Sequence, residues 1–502
     1  MTVAQHLPNW LARRALVSPD APALLAPGLA WSFARLSDEA DAAARRLRAL
    51  GAAEEDRVAL LLRNGPPFAA LVHAAPRAGV WLVPLNTRLA AAELAWQLAD
   101  SGARLLIYDA ATRLLAEQIR PLTAGVRFVA ADRAALLAGD ACLDEIPQDG
   151  TPLRDTIDLG DVHTIIYTSG TTGRPKGAML TYGNHWWSAV GSALNLGTHA
   201  DDRWLAPLPF FHVGGLAILM RGTIYGIAAV IPESNDAAAI NRAIDEQRVT
   251  IVSVVATLLQ RVLDDRGDRP FPAWLRCVLL GGGPAPRPLL DACAARGVPV
   301  VQSYGLTEAA SQVATLAPAD ALARLGSAGK PLLPNEIRIE RDGAAATPGE
   351  VGEILVRGPS VMRGYINRPD ATEAALRGEW LRTGDLGYLD PQGFLYVVDR
   401  RDDLIISGGE NVYPAEVEAV LLAHPDVAEA AVVGAPDQRW GQVPVAFVAL
   451  RPGAPADEAA LLAHCAGRMA RYKTPRAIQI VESLPRNATG KLLRFQLRDR
   501  LG

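Results

Sequence analysis

The strongest constraint on this chain is a rhythm: short runs apolar on both faces alternate with stretches of helical period. Residues 57–62 (RVALLL), 80–85 (VWLVPL) and 103–108 (ARLLIY) read as buried strands, separated by amphipathic segments at 68–77 and 90–100. Strands without a polar face need helices on both sides, the arrangement of a parallel sheet. The rhythm returns at 164–168 (TIIYT), 250–255 (TIVSVV), 276–280 (RCVLL) and 298–302 (VPVVQ), which predicts a second parallel α/β layer. After about Gly326 the texture changes, and Gly/Pro turns punctuate strands at 336–340, 352–357 and 394–398, the pattern of a smaller β-rich subdomain. A charged stretch, Asp399 to Asp403, precedes a final α+β segment with strands at 427–433 and 443–450 and helices at 416–423 and 458–470. The expected fold class is therefore α/β, with a large N-terminal domain over 1–400 and a small α+β domain over 403–502.

Charge and cysteine usage narrow the function. Fifty basic against 54 acidic residues in a chain of 502 give a formal charge of −4, too balanced for a protein that neutralises a run of phosphates, so no nucleic-acid partner is expected. Cys142, Cys277, Cys293 and Cys465 form no CxxC pair and no cluster with histidine, which argues against a zinc site or a disulfide scaffold and fits a reducing cytoplasm. The first 20 residues lack the apolar core of a secretory signal. The longest apolar candidate, Trp204 to Met220, contains Pro207, Pro209 and His212 and meets Arg221; no membrane span is expected.

Only four of the 50 basic residues are lysines: Lys176, Lys330, Lys473 and Lys491. Where arginine carries nearly all surface charge, a surviving lysine marks a place that needs a compact ammonium, or chance retention. Context favours function for Lys176 and Lys491 and leaves Lys330 and Lys473 open. Lys176 closes YTSGTTGRPKG, residues 167–177, a loop whose hydroxyls and backbone N–H groups suit a polyphosphate. The spacing is not that of a P-loop: Pro175 stands where a glycine is required and Gly177 where a hydroxyl residue is required.

This loop resembles the phosphate-loop signature of the adenylate-forming superfamily, which includes acyl- and aryl-CoA synthetases, peptide-synthetase adenylation domains and luciferases. Further motifs follow in the family's order: PFFHVGG at 209–215, SYGLTE at 303–308, TGD at 383–385, DRRDD at 399–403 and PRNATGK at 485–491. The resemblance implies ATP, Mg2+ and CoA as reactants and a small carboxylic acid as their partner. It implies a nucleotide site of Thr168, Ser169, Gly170, Thr171, Thr172, Gly173, Lys176, Ser303, Tyr304, Gly305, Thr307, Asp385, Arg400 and Lys491. Tyr304 offers a face for the purine, Thr307 a hydroxyl for the α-phosphate, Asp385 two acceptor oxygens for the ribose, and Glu308 a hard oxygen for Mg2+. The resemblance also implies that the C-terminal domain is mobile about Asp402, within a hinge at 399–403. Lys491 then serves the first reaction, and Gly408, Gly409 and Glu410 line the path of the CoA thiol unless they form a simple turn.

Within the superfamily, residues 181–195, 281–286, 326–331 and 407–414 resemble the ligases that join CoA to o-succinylbenzoate in menaquinone biosynthesis. That aryl diacid is activated at its aliphatic carboxylate and keeps a ring carboxylate, so its pocket must neutralise a spectator anion. Arg221 interrupts an apolar stretch and is the candidate; an arginine reaching the surface from a helix end is the alternative. His212, Gly282 and Gly283 are implied in the same pocket, and His212 joins Lys176 and Lys491 in the implied catalytic set. A CoA ligase for another aryl or medium-chain acid, an adenylation enzyme that loads a carrier protein, and a homo-oligomeric assembly all stay open on the sequence.

Overall fold

The computed structural model describes residues 6–168, 175–282, 287–321, 323–324, 326–400, 405–412, 414–485 and 494–501. The doubly apolar runs lie where their composition demands. Strands Arg57–Leu61, Trp81–Pro84 and Leu105–Tyr108 sit together in an eight-stranded sheet and run parallel, with Val58 opposite both Leu82 and Leu105. Val162–Thr168 joins them parallel to Trp81–Pro84. In a second sheet of nine strands, Pro22–Ala26, Ala228–Val230, Arg203–Leu205, Ile251–Val254, Cys277–Leu280 and Val300–Leu306 are parallel neighbours. Helix Pro66–Ala78 contributes Phe68, Leu71, Val72 and Ala75 to the core. The third sheet is antiparallel: Glu336–Arg341, Gly352–Arg357 and Trp380–Leu389 pair in sequence, as the Gly/Pro-punctuated pattern requires.

One strand departs from the expected outline in a way that matters. The run at 298–302 becomes Val300–Leu306, because its backbone gains an antiparallel partner in Ser311–Thr315. The strand thus lies parallel to Cys277–Leu280 on one edge and antiparallel to its own continuation on the other. The parallel partner pairs residues 300–302, and the antiparallel one carries the pairing on through the SYGL residues.

The described residues divide into two compact units. One comprises Met1–Thr87, Leu98–Ile166 and Gly177–Val398; the other comprises Arg88–Gln97, Tyr167–Lys176 and Asp399–Gly502. The second unit carries a five-stranded sheet built on the hairpin of Val427–Asp437 and Gly441–Leu450, with Ala477–Ile480 added parallel to the latter. Helices Pro414–Leu422 and Glu458–Ala466 bring Val417, Leu421 and Leu461 against Val432, Val448 and Ile478. The α+β reading of this segment holds, although its second helix ends four residues before the expected 470, where Gly467 follows. Among the described residues no helix is long and apolar enough to cross a membrane.

Candidate active site

The SYGLTE residues are assembled at the end of Val300–Leu306. Tyr304 is 5% exposed, and its hydroxyl donates to Asp385 Oδ2 at 2.7 Å. This bond fixes the carboxylate and leaves lone pairs on both of its oxygens. Ser303 Oγ lies 2.9 Å from Thr315 Oγ1 in the antiparallel partner, so this hydroxyl helps to hold the strand pair. Beyond the strand, Thr307–Ala309 forms one tight turn whose last carbonyl-bonded residue, Ala310, donates its N–H to the Thr307 carbonyl at 3.0 Å. Ala310 and Ser311 both take positive φ, 51° and 98°, conformations that non-glycine residues adopt only when the surroundings enforce them. The reversal is tight enough that a Cβ on Gly305 would lie 1.7 Å from the Ser311 carbonyl oxygen. Only glycine fits there.

Glu308 follows Thr307, and its Oε1 accepts a hydrogen bond from the Tyr365 hydroxyl at 2.9 Å. Among the described residues no group of three or more His, Cys, Asp or Glu is placed to hold a metal ion. A single oriented carboxylate fits Mg2+, which binds through one or two carboxylates together with substrate phosphates rather than in an all-protein cage.

Helix Val213–Tyr225 carries the two implied acid-site side chains. His212 caps its start, with the ring 4.6 Å from Phe211. Arg221 lies more than two turns further on and is 2% exposed, which removes the reading of an arginine extended to solvent. Its guanidinium lies 5.4 Å from the Trp204 ring centre, and Nη2 donates to Ser188 Oγ at 3.3 Å. Nε is buried without a hydrogen-bond partner, and no carboxylate pairs with this group among the described residues. Burial pushes its pKa down, with Tyr225 opposing the shift. Beside it, His185 falls well below its ordinary value through burial, His163 and Arg221. Elsewhere in the core, burial lowers His73 to about 3, with His163 adding to the shift, and lowers His163 to about 4 against the bond to the Val72 carbonyl. Gly282 follows strand Cys277–Leu280 in the same unit.

In the second unit, Thr168 ends Val162–Thr168 and Lys176 opens Lys176–Thr181; the Thr168 hydroxyl donates to the Lys176 carbonyl at 3.4 Å. Gly408 and Gly409, at φ 59° and 85°, form the two-residue turn between Ile405–Ser407 and Glu410–Val412. Positive φ at both central positions is what a type I′ hairpin needs. Glu410 is buried and pairs with Arg88 at 2.5 Å. Lys473, 3% exposed, donates to Glu93 Oε1 at 2.9 Å and to Glu416 Oε1 at 2.6 Å. Ser169, Gly170, Thr171, Thr172, Gly173, Gly283, Asp402 and Lys491 lie outside the described residues, as does the side chain of Arg400.

Sequence reasoning missed Tyr365, Ser188 and His185 beside Arg221. A tyrosine 57 residues from the carboxylate it orients carries no local mark. A serine inside an apolar helix, by contrast, is a polar exception that asks for a partner.

Residues 11–366 match the family described as AMP-binding enzyme, and residues 416–491 match the AMP-binding enzyme C-terminal domain. The 2-succinylbenzoate–CoA ligase of Geobacillus kaustophilus is 53% identical over 492 residues, covering 98% of this chain and 97% of that protein. The 2-succinylbenzoate–CoA ligase of Bacillus cereus is 46% identical over 494 residues, covering 98% of each. A solved double mutant of o-succinylbenzoate CoA synthetase from Bacillus subtilis, bound to a product analogue, superposes with a TM-score of 0.91 at 45% identity and covers 99% of both chains. The same enzyme in complex with ATP and magnesium ion gives a TM-score of 0.74 at 44% identity, covering 99% of this chain and 100% of that one.

Proposed function

Because this chain belongs to the AMP-binding enzyme family, we infer that it is an acid–thiol ligase converting 2-succinylbenzoate, ATP and CoA to 2-succinylbenzoyl-CoA, AMP and diphosphate, a step of menaquinone biosynthesis in the cytoplasm. The observation that carries the choice of acid is the buried Arg221 guanidinium, which has no carboxylate among the described residues. A lone buried charge is costly, and the ring carboxylate of this substrate supplies the missing anion.

In the first half-reaction the aliphatic carboxylate oxygen attacks the α-phosphorus of ATP and the bond to diphosphate breaks, giving an acyl-adenylate. Two negative groups must approach, and unit charges about 4 Å apart repel by about 4 kcal/mol at an intermediate dielectric. Lys491 and the Thr307 hydroxyl offset this repulsion, while Lys176 and residues 169–173 hold the phosphates. Tyr304 presents a face to the purine and holds Asp385, which receives the ribose hydroxyls; Arg400 adds a further contact to the nucleotide. ATP enters as its Mg2+ complex, with Glu308, oriented by Tyr365, as the protein's oxygen ligand and the metal neutralising phosphate charge.

Arg221 holds the ring carboxylate, and His212, Gly282 and Gly283 shape the pocket around the acid. In the second half-reaction the CoA thiolate attacks the acyl carbon and AMP leaves with the bonding electrons. The hinge at Asp402 allows one site to serve both steps. Gly408 and Gly409 give the thiol path a turn without side chains, and Glu410 anchors that turn through Arg88.

The test is diphosphate release screened over 2-succinylbenzoate, benzoates, cinnamates and fatty acids, followed by detection of the CoA thioester. Release and thioester with 2-succinylbenzoate are expected; turnover of fatty acids alone overturns the choice of acid. Adenylate without a CoA thioester points instead to a carrier protein. Lys491→Ala should slow adenylation roughly 10²- to 10³-fold while leaving thioester formation from supplied acyl-adenylate intact.

A further inference from the structure

Ser188, 3% exposed on helix Tyr182–Leu196, joins two parts of the first unit that the reaction uses separately. It receives a hydrogen bond from Arg221 Nη2 at 3.3 Å. A guanidinium has no acceptor, so the serine proton must point elsewhere, and it goes to the Ala310 carbonyl at 2.6 Å. The direction of this chain is therefore fixed from Arg221 through Ser188 to Ala310.

Its far end is the reversal behind Thr307 and Glu308. Ala310 and Ser311 hold successive left-handed conformations, which persist only where neighbours over-determine them. Among the contacts that do so are the Ala310 N–H to the Thr307 carbonyl, the Ser188 hydroxyl to the Ala310 carbonyl, the pairing of Ser311 with Leu306, the Met362 N–H to the Glu308 carbonyl and the close seat of Ser311 against Gly305. Ser188 is the one of these whose other side rests on a charge without an acid partner among the described residues. An anion beside Arg221 fixes the guanidinium, and hydrogen bonds in a chain polarise and orient one another.

We propose that Ser188 is a positioning residue that links occupancy of the Arg221 anion site to the placement of the Thr307–Glu308 turn, so that the aryl acid and the nucleotide bind cooperatively. The inference rests on the reading of Arg221 as the anchor of the ring carboxylate. Whichever ligand binds first orders the chain, and the second is spared that ordering. By reciprocity, each ligand tightens the other by the same factor.

The experiment is calorimetric titration of α,β-methylene-ATP with Mg2+ into the full chain, with and without saturating 2-succinylbenzoate. The wild-type Kd for the analogue should fall at least about fivefold when the acid is present, the lower end of ordinary coupling. In Ser188→Ala the factor should shrink below about twofold while each ligand alone still binds, and Ser188→Thr, which keeps the hydroxyl, should restore it. A purely structural serine would weaken both ligands without removing their coupling. A second measurement needs no variant: 4-oxo-4-phenylbutanoate, which lacks only the ring carboxylate, should bind the wild-type protein without tightening the analogue. Absence of coupling in the wild type, full coupling in Ser188→Ala, or equal coupling with the monoacid overturns the proposal. Binding of 2-succinylbenzoate without coupling sinks this inference alone, whereas failure of 2-succinylbenzoate to bind at all sinks the proposed activity as well.

Discussion

Arg221 in the first unit and Lys473 in the second are both almost fully buried cations, at 2% and 3% exposure, and their surroundings are opposite. Lys473 sits between two carboxylates, Glu93 and Glu416. Burial lowers its pKa, but the two acids outweigh burial and raise it overall. Arg221 has an aromatic face, one hydroxyl and the His185 imidazole, and burial dominates. A cation that already owns its counter-charges is part of the scaffold; a cation that lacks them among the described residues is what the proposed ring-carboxylate site calls for. The contrast also accounts for a residue that the sequence left open. Lysine scarcity marked Lys473, and the mark proves to be electrostatic compensation inside its own unit.

Four measurements break or sharpen this contrast. The largest effect belongs to Lys473→Met, which strands two buried carboxylates and should cost about 3 to 5 kcal/mol of stability, read as a lower urea midpoint. A loss below about 1 kcal/mol would erase the distinction between the two sites. Arg221→Leu strands no protein group, so stability should hold or rise, while kcat/KM for 2-succinylbenzoate falls by roughly thirtyfold to a few thousandfold, the equivalent of about 2 to 5 kcal/mol. Arg221→Lys should recover part of that loss, since a point charge attracts a carboxylate without gripping it through two N–H bonds. With the monoacid 4-oxo-4-phenylbutanoate the Leu variant should lose little. Equal losses for both acids would place Arg221 in the fold.

The next effect is on pH dependence. His73 and His163 have folded pKa values of about 3 and 4 against an ordinary 6.5. The unfolded chain therefore binds more protons, and the stabilisation from keeping these rings neutral is complete above about pH 6.5 and lost as pH falls towards the folded values. Each imidazole adds a slope of at most about 1.4 kcal/mol per pH unit in that window. Urea unfolding at pH 7.5, 6 and 5 measures it, and His163→Gln should flatten it. The smallest effect is that of Tyr304→Phe: loss of the hydrogen bond to Asp385 should raise KM for ATP about fivefold, about 1 kcal/mol, with KM for the acid nearly unchanged.

What could be read from the sequence was what local pattern encodes. Doubly apolar runs required parallel strands, and these occupy the sheet interiors with boundaries shifted by one or two residues. The resemblance of two short motifs named Tyr304, Thr307, Glu308 and Asp385, and the structure bonds Tyr304 to Asp385. Arg221 stood out because a charge within an apolar stretch contradicts its neighbours. What stayed hidden depends on long-range pairing: Ser188 meets Ala310 across 122 residues, Tyr365 meets Glu308 across 57, and Glu93 meets Lys473 across 380. The reversal into Ser311–Thr315 was hidden for another reason. Nothing in a serine or an alanine announces positive φ; it is enforced by contacts from elsewhere in the chain, among them the packing of Ser311 against Gly305 and the Ser188 hydroxyl bond to the Ala310 carbonyl.

The seat of Lys473 has a consequence for how such an enzyme survives its own intermediate. An acyl-adenylate that escapes acylates neutral amines, and a protein rich in accessible lysines would be modified by the compound it makes. This chain has four lysines, and Lys473 is kept charged and enclosed between Glu93 and Glu416. The other positive side chains are guanidinium groups, which remain protonated and do not act as amine nucleophiles. Lys473, charged and buried, is thereby withdrawn from reaction with an activated acid.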